Sequence, residues 1–91
     1  MNQRGKPWGL ETTPEFDRAA RNLDRQILRR IKTYLDEVCG LDDPRDRGKG
    51  LTGNLSGYWR YRIGDYRVLA EIRDEEIIIV AVALGHRSNV Y

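Results

Sequence analysis

The sequence predicts a small α+β domain in which a helical hairpin packs on one face of an antiparallel sheet. Helix signals come first, because after Pro14 apolar residues recur at helical spacing as far as Gly40. Residues 58–73 then mostly alternate apolar and polar side chains, residues 77–84 are apolar, and short polar turns divide these segments, which is typical of strands. A chain of 91 residues holds one such unit, so we expect a single domain over residues 1–91 with the element order β-α-α-β-β-β.

The helical half of the chain is bounded by residues that favour helix ends. A short first strand is expected over residues 8–12, where large apolar residues alternate with others. Thr13 suits the cap of a helix that ends near Asn22. Asp24 is expected to cap a second helix, which Gly40 ends in a left-handed conformation. The apolar stripe of this second helix consists of Ile27, Leu28, Ile31, Leu35 and Val38.

Three strands are expected to form a meander after a long loop. Residues 40–57 contain glycines, a proline and alternating charges, which is loop composition. Residues 77–84 are apolar on both faces, so their strand is expected in the interior of the sheet. Gly64 and Asp65 fit a type II′ turn, which requires glycine at its first central position. Such a turn fixes the register of the two strands that it joins.

That register places three arginines together. Arg62 falls directly opposite Arg67, and Arg60 lies on the same face, while Tyr61 and Val68 face the helices. Like charges directly opposite each other on a sheet cost roughly a few tenths to 1 kcal/mol per pair. We therefore interpret the arrangement as an anion-binding site. The alternative is an edge strand that keeps its charges outward to prevent the association of sheets.

Composition limits the kinds of site that the chain can hold. Cys39 is the single cysteine and His86 the single histidine, so an internal disulfide is excluded and neither a metal nor a cofactor is expected. The sequence has no apolar run long enough to span a membrane, and no apolar segment follows its first residues. A cytoplasmic protein is therefore expected.

The small net charge of +2 is unevenly distributed. Residues 45–67 carry six basic and two acidic side chains, and 13 of the 16 basic residues of the whole chain are arginine. The guanidinium group presents a planar fork of donors that matches phosphate oxygens. The local basic patch therefore favours a phosphate-bearing partner.

Three segments carry a resemblance to a known family: residues 51–53 (LTG), residues 59–68 (WRYRIGDYRV) and residues 85–91 (GHRSNVY). Together with the element order, they resemble the RelE toxins of bacterial and archaeal toxin–antitoxin systems. The resemblance implies a toxin that enters the ribosomal A site and cuts mRNA there, without a metal, by attack of the RNA's own 2′-hydroxyl on the adjacent phosphate. It also implies a cognate antitoxin that neutralises the toxin by wrapping around it.

The resemblance further implies roles for single residues. Arg67 is similar to the arginine that clamps the scissile phosphate, and Arg87 to the arginine near the leaving 5′ oxygen. Tyr91 is similar to the tyrosine that positions the bases and takes part in proton transfer. His86 is the other candidate for proton transfer, because an unperturbed imidazole titrates near neutral pH.

Arg60 and Arg62 stand where the best-known relatives have lysines. An arginine binds phosphate well but holds its proton too tightly to shuttle it, so these two residues are expected to act as phosphate contacts of the catalytic cluster. Lys49 is interpreted either as a contact to RNA or as a solvated loop charge. The basic residues of the second helix are either a solvated face or contacts to ribosomal RNA. They are Arg25, Arg29, Arg30 and Lys32.

Two other functions stay open at this point. ParE-like toxins resemble the RelE toxins in fold but inhibit DNA gyrase without cutting RNA. The combination of Arg67, Arg87 and Tyr91 favours the nuclease over this alternative. The second alternative is an RNA-binding module that has lost its catalytic activity, which the arginines at positions 60 and 62 would explain.

Overall fold

Two helices and five strands follow one another in the computed structural model of the chain, which describes residues 7–89. The strands are β1 (Gly9–Thr12), β2 (Lys49–Gly50), β3 (Trp59–Ile63), β4 (Tyr66–Arg73) and β5 (Ile78–His86), and the helices are α1 (Pro14–Arg21) and α2 (Arg25–Cys39). The strands form one sheet in the order β1-β5-β4-β3-β2, and both helices pack on one of its faces. The predicted α+β fold with a helical hairpin on one face is therefore confirmed. Within the described segment, neither helix is long and apolar enough to cross a membrane.

One strand departs from the expected antiparallel arrangement. β1 pairs in parallel with β5, with Gly9 opposite Ile78, whereas the other neighbouring strands are antiparallel. A hairpin turn reverses the chain, but β1 is separated from β5 by both helices and the other strands, so no turn sets its direction. Thr13 secures the end of this pair, because its hydroxyl donates a hydrogen bond to Val82 O at 2.6 Å.

The long loop after α2 contains a strand that the sequence does not signal. β2 pairs antiparallel with β3, and short 3-10 helices cover Pro44–Asp46 and Gly53–Leu55. A strand of one lysine and one glycine has no alternation of apolar residues, so its composition indicated a loop. The expected interior position of the last strand is confirmed, since β5 lies between β1 and β4.

Both predicted helix starts are confirmed. Thr13 Oγ1 accepts a hydrogen bond from the first turn of α1 at 3.1 Å, and Asp24 Oδ2 accepts one from the first turn of α2 at 3.3 Å. The predicted left-handed end of α2 is wrong, because Gly40 has a φ of −87°. Its N–H donates to Glu37 O at 3.0 Å in a tightened last turn, which needs no positive φ.

The core lies between the helices and the inner face of the sheet. Tyr61 is fully buried there, and its hydroxyl donates to Pro44 O at 2.7 Å, which ties the loop after α2 to the core. Burial holds the pKa of the Tyr61 phenol far above its ordinary value of 10.0. The same core cluster includes Phe16, Ile31, Leu35, Val38, Val68 and Ile79.

The β3–β4 hairpin has the predicted register, in which Arg62 is directly opposite Arg67. Gly64 has a φ of +60° and Asp65 has no positive φ, which agrees with the predicted type II′ turn. Alternate residues of the two strands are buried against the helices. Arg60, Arg62 and Arg67 therefore lie on the outer face of the sheet, the face without helices.

Candidate functional site

Four arginine side chains come together at the end of the sheet that carries the β3–β4 turn. Arg60 and Arg62 belong to β3, Arg67 to β4, and Arg87 begins the 3-10 turn after β5. The pKa of the Arg67 guanidinium lies below its ordinary value, first because the group loses hydration and then because the three other arginines repel its charge. An arginine in this situation is still charged at neutral pH. We call these four residues the arginine cluster.

Main-chain carbonyls of the turn hold Arg67. Its Nη1 donates hydrogen bonds to Gly64 O at 3.2 Å and to Tyr66 O at 3.1 Å. The turn depends on the positive φ of Gly64, so the direction of the guanidinium follows from the shape of the turn. Within residues 7–89, no hydrogen bond engages Nη2 or Nε of Arg67. As far as the described residues are concerned, those donors remain open to a ligand.

Arg87 is tied to the same turn from the end of β5. Its N–H donates to Asp65 O at 2.7 Å, and its Nε lies 3.8 Å from Asp65 Oδ1. Both side chains are mostly exposed, so this ion pair contributes little to stability. Asp65 acts on Arg67 as well, where its charge favours the protonated guanidinium. Sequence reasoning assigned Asp65 only to the turn, although an acid between two arginine-bearing strands was a signal of this second role.

Lys49 joins the same face of the sheet. It lies opposite Arg60 in the β2–β3 pair, so β2 extends the basic face by one strand. Gly48 lets the chain approach β3 closely at this point, because a Cβ at its φ of +82° would lie 2.5 Å from Arg60 O. The indole Nε1 of Trp59 donates to Arg47 O at 2.6 Å and secures the segment. Sequence reasoning missed these two contacts, since neither follows from a local pattern.

His86 lies apart from the arginine cluster. It is opposite Tyr66 in the β4–β5 register, which places its side chain on the inner face of the sheet. The two rings are 5.3 Å apart and nearly perpendicular. The Nδ1 atom of His86 accepts a hydrogen bond from Ser88 N at 3.3 Å and lies 3.0 Å from Ser88 Oγ.

The remaining predicted site residue, Tyr91, lies outside the described residues. Within residues 7–89, no three His, Cys, Asp or Glu side chains are grouped so that they could hold a metal ion. Cys39 is buried in the core cluster. Burial, and to a lesser extent Asp36, raises the pKa of its thiol, so Cys39 is a small apolar core residue.

The geometry of the arginine cluster suits a phosphate group. Guanidinium groups preorganised around one position stabilise negative charge that develops there, and such effects contribute roughly several kcal/mol to a transition state. The outer face offers several cations for one phosphate or for neighbouring phosphates of a strand. Arginines do not exchange protons near neutral pH, so the cluster can bind and stabilise an anion but cannot accept a proton.

Comparisons with known proteins agree with the fold and identify the family. A family model described as the ParE toxin of the type II toxin–antitoxin system parDE matches residues 10–91. The chain is 32% identical over 82 residues to Toxin RelG of Mycobacterium tuberculosis. The matched region covers 87% of this chain and 94% of that protein.

Solved structures give the same result. The toxin–antitoxin complex RelBE2 of Mycobacterium tuberculosis contains a chain with a TM-score of 0.82 and 27% identity, over 91% of this chain and 94% of that chain. The isolated E. coli RelE toxin has the same fold, with a TM-score of 0.71 and 21% identity over 87% of this chain and 83% of that chain. The chain therefore belongs to the RelE/ParE superfamily of type II toxin–antitoxin toxins.

Proposed function

We propose that this toxin is a ribosome-dependent endoribonuclease, which cleaves mRNA in the ribosomal A site without a metal and thereby inhibits translation. The observation that supports this most is the convergence of four guanidinium groups near the β3–β4 turn. Main-chain carbonyls of the turn hold the Arg67 guanidinium, and the Asp65 carboxylate lies beside that of Arg87. A fold keeps like charges directly opposite each other at a cost in stability. A bound phosphodiester offsets that cost.

The proposed reaction is an internal transfer of the phosphoryl group. The 2′-oxygen of the RNA attacks the adjacent phosphorus, so an O2′–P bond forms while the P–O5′ bond breaks. The products are a 2′,3′-cyclic phosphate and a free 5′-hydroxyl, and the proton lost by the 2′-hydroxyl is balanced by the proton that the 5′ oxygen gains. Arg67 binds the phosphoryl oxygens as their charge grows, and Arg87 stabilises the leaving 5′ oxygen.

Tyr91 is the proposed proton acceptor. Nearby cations lower the pKa of a phenol and so favour its phenolate form. His86 is the other candidate, but its side chain lies on the inner face beside Tyr66. This position favours Tyr91 for proton transfer.

The other basic residues of the outer face are proposed to hold the RNA strand. Arg60 and Arg62 contact phosphates next to the scissile one, and Lys49 contacts RNA at the margin of the site. Their proposed role is electrostatic, because each can place a positive charge beside phosphate oxygens. We expect their loss to weaken RNA binding.

A cognate antitoxin is the proposed protein partner, and ribosomes carrying mRNA in the cytoplasm are the proposed site of action. Several structural relatives are toxins in complex with antitoxins. The arginine cluster should attract an acidic antitoxin segment that folds on binding. The complex should then be more stable than the free toxin, because a partner that binds only the folded state shifts the folding equilibrium.

A non-nucleolytic toxin that inhibits DNA gyrase is the second candidate. The observation in its favour is the match of residues 10–91 to the model of ParE toxins. A catalytically inactive RNA-binding module is the third, since positions 60 and 62 hold arginines that do not shuttle protons. The experiment below separates the three.

The test is primer extension on a defined mRNA held on purified ribosomes with an empty A site. Wild-type protein is compared with Arg67→Ala, with a reaction without ribosomes, and with the control Arg73→Ala. Arg73 is on the same strand as Arg67 but pairs with Glu71 and Glu76 at its far end. We expect a cut in the A-site codon that requires ribosomes, disappears in Arg67→Ala and remains in Arg73→Ala.

Other outcomes distinguish the alternatives. If folded wild-type protein does not cut but inhibits supercoiling by purified gyrase, the ParE-like function is correct and the nuclease proposal is wrong. If it neither cuts nor inhibits gyrase but binds RNA, the protein is an RNA-binding module. Cleavage that survives Arg67→Ala would contradict the proposed role of the phosphate clamp.

A further inference from the structure

A second basic surface lies next to the arginine cluster, in a groove between α2 and the β3–β4 hairpin. The groove has a volume of about 530 Å³ and is open to solvent. Three arginine residues border it, Arg29 and Arg30 from α2 and Arg62 from β3. Gln26 and Thr33 add neutral hydrogen-bonding groups. Of these residues, the proposed function assigns a role only to Arg62, as a contact to the RNA strand.

Among the described residues, no carboxylate forms an ion pair with the three arginines of the groove. The carboxylate that lines the groove belongs to Glu37, and it accepts a hydrogen bond from Arg47 Nη1 at 3.1 Å. The negative charge of Glu37 is thus already paired, so the groove presents a net positive wall to solvent.

The groove and the arginine cluster are continuous. Arg62 borders the groove, and its charge lowers the pKa of Arg67, so this residue lies where the two surfaces meet. Gly64 is the second link: its carbonyl accepts a hydrogen bond from Arg67, and a Cβ on it would lie 3.0 Å from Arg30 Nη1. The β3–β4 turn therefore has a guanidinium of the cluster on one side and a guanidinium of the groove on the other.

The open edge of β3 explains how a strand could pass from one surface to the other. β2 pairs with β3 at Trp59 and Arg60, and within residues 7–89 no strand lies beside the part of β3 that leads into the turn on that side. A flexible polyanion bound to the outer face can turn around this edge into the groove. Each successive phosphate would then meet another arginine.

We propose that the groove binds the continuation of the RNA strand whose phosphate lies at Arg67, through phosphate contacts from Arg29 and Arg30. This inference rests on the proposed function, because it extends the strand that enters the arginine cluster. The ligand class is a single-stranded polynucleotide, recognised by its backbone charge and not by its bases. The groove is thus a subsite that increases affinity for longer strands.

The test measures fluorescence anisotropy with 5′-labelled single-stranded RNA of 3 and of 12 nucleotides, chosen as about the reach of a single-stranded site, at several salt concentrations. The variant is Arg29→Ala/Arg30→Ala. Both side chains are exposed on α2, and alanine is a strong helix former, so the fold should be kept. The control is Arg18→Ala/Arg21→Ala, which removes the same charge from exposed positions of α1 outside the groove.

We expect the double variant to bind the 12-mer roughly 20-fold more weakly than wild type at 0.1 M salt. The slope of log affinity against log salt concentration should be smaller by about 1.4, because each lost phosphate contact on a single strand removes about 0.7 from that slope. The 3-mer, which occupies only the arginine cluster, should bind both proteins alike. The control pair should bind both RNAs as wild type does, and Arg29→Lys/Arg30→Lys should restore most of the affinity for the 12-mer.

Three results would overturn the proposal. The first is equal binding of the 12-mer by the variant and by wild type, and the second is an equal loss of affinity in the control pair. The third is a variant that binds the 12-mer normally but binds ribosomes in sedimentation, or an acidic antitoxin segment, more weakly. The proposed function is tested separately by the primer-extension assay. A protein that does not cut on ribosomes but shows the length-dependent loss would refute the nuclease function and keep the groove.

Discussion

Gly48 supports the basic face at the point where β2 meets β3, and its replacement by alanine gives the sharpest test of this packing. An L-residue in left-handed backbone costs about 1–2 kcal/mol. The new Cβ would also lie 2.5 Å from Arg60 O, 2.6 Å from Trp59 Nε1 and 2.8 Å from Tyr61 Cδ1. No real Cβ tolerates these distances, so β2 has to move away from β3.

Moving β2 breaks the hydrogen bond of 2.6 Å from Trp59 to Arg47 O, which is worth about 0.5–1.5 kcal/mol. Together with the backbone strain and the lost packing, we expect Gly48→Ala to lower the free energy of unfolding by about 3 kcal/mol. Gly53→Ala is the matched control, because Gly53 also has a positive φ of +67°, but beyond its chain neighbours no atom of the described residues lies within 4 Å of the place that a Cβ would occupy. It should lose only the strain of about 1 kcal/mol.

The measurement is urea unfolding of wild type and both variants, followed by tryptophan fluorescence and by circular dichroism. A difference of about 2 kcal/mol between the two variants is the expected result. If Gly48→Ala and Gly53→Ala lose the same stability within about 0.5 kcal/mol, the close approach of β2 to β3 does not matter and the steric reasoning is refuted.

Three further predictions concern stability. Tyr61→Phe should lower the free energy of unfolding by about 1–3 kcal/mol, because Pro44 O loses its buried partner. Folding raises the pKa of Tyr61, so above pH 10.0 the unfolded chain loses the phenol proton more readily than the folded protein does. In urea titrations above that pH, wild type should therefore lose stability more steeply than the variant. The pKa of Asp74 is lowered, first by its hydrogen bond from Arg45, so the ionised carboxylate stabilises the folded protein above pH 3.8. Asp74→Asn should therefore melt at a lower temperature than wild type at pH 7, and the two melting temperatures should converge as the pH falls below 3.8. Ile77→Asn should raise the free energy of unfolding by roughly 0.5–1 kcal/mol, because Ile77 has a φ of 55° that asparagine adopts more easily. The urea midpoint should rise accordingly, and an unchanged midpoint would show that the strain is absent.

The arrangement of the arginine cluster follows largely from one local signal. A two-residue turn with glycine first fixes the strand register, and the alternation of side chains then places Arg62 opposite Arg67 on the outer face. The helix caps at Thr13 and Asp24 are equally local, since each bonds within its own first turn. Such features depend on a few neighbouring residues, so the sequence alone predicts them.

Other features depend on contacts between distant parts of the chain. β2 exists because Gly48 and Gly50 let it approach Trp59 closely, which no local alternation signals. The groove exists because α2 packs so that Arg30 reaches Gly64. The placement of His86 beside Tyr66 follows from the β4–β5 register. Sequence patterns do not predict this register, because the turn between β4 and β5 has an irregular length and the register shifts between Leu69 and Ala70. These relations require the assembled sheet.

The opposition of Arg62 and Arg67 links the occupancy of the outer face to the lifetime of the protein. The folded state holds a repulsion that the unfolded chain relieves by separating the two charges. A ligand that neutralises them binds the folded state only, and at 100 times its dissociation constant it adds about 2.7 kcal/mol to stability. Because proteases act on unfolded chains, the empty protein is the form most exposed to degradation. The proposed ligand of these two side chains would therefore also lengthen the lifetime of the folded protein.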